Sequence, residues 1–158
     1  MKIRRATAAD VPEIVRLKAL LMTDGWPFDI ELDDAWRERC AAIAQELLSS
    51  PHYVCFVIDA VEDAGPGSPL ASCVTANVEQ HLPGPDGSGR SAYVGDMCTD
   101  AAFRGRGYGA ALLDAVLQWC REQDAGWVSL FSTESGNALY RRAGFSEKGP
   151  FEHLSMGL

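Results

Sequence analysis

The chain has 158 residues, 47% of them hydrophobic, which suits one domain spanning 1–158 with a single core. No apolar run reaches the roughly 18 residues of a spanning helix, so no membrane segment is expected. A formal net charge of −8 excludes a general nucleic-acid binder, which would carry a basic face. In chain order, Lys2 to Ala6 reads as a short strand. Thr7 supplies an N-cap with Asp10 at the third helical position and Pro12 in the first turns, so a helix is predicted through about Met22. Val11, Ile14, Val15, Lys18 and Leu21 share one side of it, and Leu17 widens the stripe. This opening has no apolar signal core, so a cytoplasmic location is expected. Asp24-Gly25-Trp26-Pro27 breaks the helix, and a second helix runs from about Asp33 to Ser49 with Trp36, Cys40, Ile43 and Leu47 at helical spacing. Tyr53 to Ala60 is a buried strand, Gly65-Pro66-Gly67-Ser68-Pro69 a turn, and Leu70 to Glu79 the returning strand. Leu82 to Arg90 is a flexible connection, and Tyr93 to Thr99 the next strand. A helix then carries Leu112, Leu113, Val116, Leu117 and Cys120 on its apolar face. Trp127 to Ser132 reads as a strand, Gly136 to Ala143 as a short helix, and His153 to Gly157 as a final strand.

The order β-α-α-β-β-β-α-β-α-β has too many hairpins for a purely parallel sheet, so a mixed sheet with helices on its faces is expected, α/β or α+β. The five cysteines are odd in number, widely spaced and without a C-x-x-C pair. They read as free thiols in a reducing compartment, and no metal site is expected.

The segment from Thr99 to Leu113 joins a strand to a helix through Gly105, Gly107 and Gly109, with Arg104 and Arg106 among them. Glycine permits positive φ and lets a ligand approach without meeting a Cβ. The first turn of a helix offers unpaired N–H groups at the positive end of its dipole. Together they make a cradle for the pyrophosphate of a coenzyme. Gly105-x-Gly107-x-x-Ala110 fits the dinucleotide fingerprint, with Glu134 placed as the ribose-binding acid. That fingerprint should open a doubly wound unit, and too little chain follows Glu134 for one, which argues against a nicotinamide-dependent dehydrogenase.

Arg104-x-x-Gly107-x-Gly109 resembles the coenzyme A-binding signature of the GNAT superfamily of acetyltransferases, and Leu139-Tyr140-Arg141-Arg142-Ala143-Gly144-Phe145 resembles its second motif. The two stand in the family's order and separation, so the resemblance covers nearly the whole chain. It implies a mixed, mostly antiparallel central sheet flanked by helices, and an acetyl-CoA-dependent N-acetyltransferase acting on a primary amine. It also implies that the central strands splay where the coenzyme enters. Met97, Cys98 and Thr99 would then meet the pantetheine arm, while amides from Gly105 through Arg106, Gly107, Tyr108 and Gly109 to Ala110 hold the pyrophosphate beside Arg104. Tyr140 would be the general acid for the leaving sulfur; without the resemblance it reads as a core aromatic. The family commonly has Asn seven residues before that tyrosine, where Thr133 stands here and offers one hydroxyl to the coenzyme.

Amine attack on a thioester needs orientation, a donor for the carbonyl oxygen, a proton for the sulfur and a base for the amine; it needs no covalent enzyme intermediate. Asp96 or Glu79, or a water chain leading from either, is the candidate base; Asp96 shares a side of its strand with Cys98, and a structural carboxylate is the alternative reading of it. Glu79 and His81 are further candidates near the acceptor. Trp26 and Phe28 either line the acceptor pocket or staple the first two helices together. The acceptor is a small-molecule or protein amine, and a monomer and a homodimer both remain open. The rival reading is a non-catalytic acyl-CoA-binding sensor.

Overall fold

The computed structural model describes residues 1–25, 31–85, 87–147 and 156. Strand β1 (Ile3–Arg5) leads through a 3₁₀ turn (Ala8–Asp10) into helix α1 (Val11–Gly25), which is followed by α2 (Asp34–Leu48). Three strands follow, β2 (Tyr53–Asp59), β3 (Leu70–Gln80) and β4 (Arg90–Thr99). Helix α3 (Tyr108–Glu122), strand β5 (Trp127–Ser129) and helix α4 (Glu134–Arg142) complete the described elements. The sheet order is β1-β2-β3-β4-β5, antiparallel throughout except for the parallel β4–β5 pair.

Apolar residues on β2 and β3 face both ways because helices cover both sides of the sheet. On one face α3 sets Leu112, Leu113, Val116 and Cys120 against Val54, Val74, Ala76 and Val94. On the other, Ile14 and Leu17 of α1 meet Cys55, Val57, Cys73 and Cys98. Each such large side chain contributes about 1.5–3 kcal/mol relative to leaving it in water. Helix α2 packs on α1 through a small cluster of Val11, Val15 and Ala44. Its start is fixed by Asp33, whose carboxylate accepts the Trp36 amide at 2.7 Å. Cys55, Cys73, Cys98 and Cys120 are buried free thiols, and Cys40 is half-buried.

Several element ends differ from the sequence reading. The first turn after Thr7 is 3₁₀, tightened by the Asp10 carboxylate, which accepts the Thr7 amide and hydroxyl. Strand β4 begins at Arg90 instead of Tyr93, because Ser91 and Arg90 continue the ladder opposite Glu79 and Gln80. Polar residues extend a hairpin without leaving an apolar pattern. Strand β5 stops at Ser129 instead of Ser132, and α4 starts at Glu134 instead of Gly136 because Thr133 caps it. The final strand expected at His153–Gly157 lies outside the described residues, apart from the exposed Met156.

The β3–β4 ladder carries one irregularity. Cys73 pairs with Cys98 and Thr75 with Gly95, so Asp96 and Met97 together oppose Val74. This is a β-bulge, and Asp96 takes φ +46° within it. Aspartate tolerates that left-handed conformation better than most side chains. The extra residue reverses the alternation beyond it: Val94 and Met97 pack on the α3 side, whereas Cys98 packs on the α1 side.

Candidate active site

Strand β4 pairs with β3 almost to its end, yet pairs with β5 only from Ser91 to Tyr93. Beyond Tyr93 the two strands part. Backbone groups of β4 from Val94 to Thr99 that point away from β3 therefore have no strand beside them among the described residues. This is the splay implied by the family resemblance, and the bulge at Asp96 lies within it.

The glycine-rich loop stands at the end of the same strand. Asp100 caps a 3₁₀ turn (Ala101–Phe103), accepting the Ala102 amide at 3.1 Å, and the chain then enters α3 through Gly105 and Gly107. Both glycines are left-handed, at φ +76° and +80°, and a Cβ at either would have nothing within 4 Å. Gly107 is the N-cap of α3. Among the described residues, no amide from Gly105 to Ala110 donates to another group of the chain. The first inward bond is Ala111 N–H to the Gly107 carbonyl, at 3.1 Å. Consecutive free donors, open space at the glycines and the positive end of a 15-residue helix fit a pyrophosphate.

The arginines of the loop have separate tasks. Arg104 donates Nε to the Thr99 carbonyl at 3.0 Å and pairs with Asp24 of α1 at 2.6 Å. Arg106 lies over the Phe103 ring, 5.1 Å from its centroid, and donates to the Ala102 carbonyl at 3.3 Å. On the far side of the turn Arg16 joins Asp100 at 2.7 Å and the Leu70 carbonyl at 2.8 Å. Arg16, Asp24 and Asp100 thus hold the loop against α1. They escaped sequence reasoning because each partner lies far along the chain.

The second motif meets the first through Gly109. A Cβ there would stand 3.4 Å from Leu139 Cδ2 and 3.9 Å from Met97 Sδ, so this glycine lets the start of α3 press against α4 and β4. The Tyr140 hydroxyl donates to Met97 Sδ at 3.6 Å, and Phe145 packs edge-on against its ring with centroids 6.0 Å apart. Burial pushes the Tyr140 phenol above its ordinary value, with Tyr93 adding to the effect, so Tyr140 stays protonated at neutral pH. Thr133 spends its hydroxyl oxygen on the Gly136 amide at 3.2 Å as the cap of α4.

Asp96 faces the α1 side. Its carboxylate accepts Lys18 Nζ at 2.5 Å and the Thr75 hydroxyl at 3.3 Å. Lys18 was legible as the one cation within the apolar stripe of α1, and this partner accounts for it. Glu79 and His81 stand at the opposite end of β4, beside Ser91, about 17 Å from Asp96 at strand rise. The structure does not bring them to the splay. Trp26 and Phe28 lie outside the described residues. Among the described residues no three His, Cys, Asp or Glu side chains gather to hold a metal ion, and no helix is long and apolar enough to cross a membrane.

The model of the acetyltransferase (GNAT) family matches residues 15–145. A probable glucosamine 6-phosphate N-acetyltransferase of Oryza sativa subsp. japonica is 36% identical over 63 residues; the match spans 40% of this chain and 38% of that protein. The crystal structure of a GCN5-related N-acetyltransferase from Ralstonia eutropha JMP134 superposes with a TM-score of 0.79 at 20% identity, covering 99% of this chain and 97% of that one. A predicted acetyltransferase from Clostridium acetobutylicum, crystallised with acetyl-CoA, superposes with a TM-score of 0.76 at 18% identity, covering 98% and 95%.

Proposed function

This chain belongs to the acetyltransferase (GNAT) family, and from that premise we propose that it carries the acetyl group of acetyl-CoA to the nitrogen of a primary amine by direct attack on the thioester. The observation that carries this reading is the row of unpartnered amides from Gly105 to Ala110, opening onto the same splay that Tyr140 and Asp96 border. Two relatives lend it support: the Clostridium protein was crystallised with acetyl-CoA, and the Oryza protein is named for an amino sugar phosphate.

The loop amides, with Arg106 beside them, would hold the diphosphate, and the free backbone edge of β4 around Met97, Cys98 and Thr99 would hold the pantetheine arm. A donor on that edge would receive the negative charge developing on the carbonyl oxygen. Asp96, fixed by Lys18 and Thr75, accepts the proton that the amine must lose. Tyr140, kept neutral by burial, gives its proton to the departing sulfur.

A sensor that binds acyl-CoA without turnover is the reading to separate from this one, and Tyr140→Phe separates them. With acetyl-CoA and an accepted amine, thiol release should fall about 100-fold in kcat, the lower range for losing a general acid. The Kd for coenzyme A should stay within about threefold of wild type. Unchanged thiol release in the variant would remove Tyr140 from the chemistry. Coenzyme binding without thiol release from any amine would favour the sensor.

A further inference from the structure

The apolar stripe of α2 is incompletely covered. Ile43 and Leu47 are 56% and 37% exposed. Together with Trp36 they border a cavity of about 350 Å³ that is closed by Ile14 of α1 and by Tyr53 and Cys73 of the sheet. The charged groups reaching it are Asp96, Lys18 and Arg39. Asp96 is the residue that the bulge turns toward α1, and the next residue, Met97, takes the Tyr140 hydroxyl on its sulfur. One peptide unit therefore joins this cavity to the splay.

We propose that this cavity is the acceptor pocket, and that its substrate is a primary amine bearing a compact apolar or aromatic body, with the nitrogen delivered at Asp96. The inference rests on the acetyl-transfer reading and names the class of acceptor for it. The cavity volume lies within the range of small-molecule sites. Its walls are mostly aliphatic and aromatic, with polar groups confined to Asp96, Lys18, Arg39 and Tyr53, so most hydroxyls of a sugar would face apolar side chains. The carboxylate is the complement of an ammonium group. Lys18 is already committed to that carboxylate, and Arg39 is an exposed residue of α2.

The chemistry balances. An alkylammonium and an acetyl thioester become an N-alkylacetamide, a free thiol and one proton. The ammonium loses a first proton to Asp96, and the nitrogen–carbon bond forms as the carbon–sulfur bond breaks. Tyr140 protonates the sulfur, and the second proton from nitrogen restores Tyr140.

The test is thiol release from acetyl-CoA with phenethylamine, hexylamine and glucosamine 6-phosphate, in wild type, Trp36→Ser and Ile43→Ser. An apolar amine should exceed glucosamine 6-phosphate at least tenfold in kcat/KM. Trp36→Ser should raise the KM for that amine about tenfold and leave the Kd for coenzyme A unchanged. Ile43→Ser, at an exposed position where folding is not at stake, should raise KM in the same direction. Turnover of glucosamine 6-phosphate while both apolar amines are silent overturns the pocket assignment and leaves acetyl transfer standing. An unchanged KM in both variants overturns it as well. Coenzyme binding with no thiol release from any amine defeats the acetyl-transfer reading, and this inference with it.

Discussion

Asp10 is fully buried and charged, and it is answered from several sides. Arg4 forks across it at 2.8 and 2.9 Å while also gripping Asp59, and the Thr7 and Gly67 amides each donate to it. Burial alone would push this carboxyl up, yet the hydrogen bonds from Arg4, Thr7 and Gly67 together hold it well below the usual carboxylate range. Its folded value lies below the unfolded one, so its contribution is fully present above about pH 4 and is lost as pH falls further. Melting temperature should therefore begin to drop as pH falls through about 4 and keep dropping below pH 3. Asp10→Ala, which leaves Arg4 with Asp59 alone and deprives the Thr7 and Gly67 amides of their acceptor, should cost about 1–3 kcal/mol at pH 7 and flatten that acid dependence. A variant as acid-sensitive as wild type would assign the effect elsewhere. At this scale the sequence was informative where chemistry is local: Thr7 and Asp10 announced a cap. Asp96 was visible as a candidate base from its type and place on a strand. Its left-handed backbone and its Lys18 partner were not, because a strand that packs apolar residues toward both faces hides the reversal at the bulge, and Lys18 lies 78 residues away along the chain.

Among the elements, α3 and the loop before it were the most legible. Three alternate glycines followed by Leu112, Leu113, Val116 and Cys120 carry both the turn and the buried face. Gly107 caps α3 at φ +80° in open space, so valine there meets no wall but must adopt a conformation that β-branched side chains resist, and its methyls would enter the cradle. Gly107→Val should weaken coenzyme A binding at least tenfold, with the circular dichroism of the free protein little altered. Unchanged affinity by calorimetry would remove the loop from the site. The ends of β4, β5 and α4 were less legible, since backbone pairing by Arg90 and Ser91 and capping by Thr133 are decided by partners that apolar spacing does not encode. The α2 stripe was read correctly as helical, but Ile43 and Leu47 remain open to solvent at a cavity edge instead of entering a core.

For the molecule as a whole, the mixed sheet and its helices followed from the order of elements, whereas the meeting of the two motifs at Gly109, Met97 and Leu139 needed three dimensions. The parting of β4 from β5 after Tyr93 brings a free strand edge, a helix dipole and a neutral phenol to one place within a chain of net charge −8. Unpartnered amides exchange their hydrogens quickly and slow only when a ligand takes them. Residue-resolved hydrogen exchange with and without coenzyme A is thus the most direct measurement. Protection should arise at Gly105 through Ala110 and along the free edge of β4. Protection confined to other segments, with these amides exchanging as before, would contradict the account.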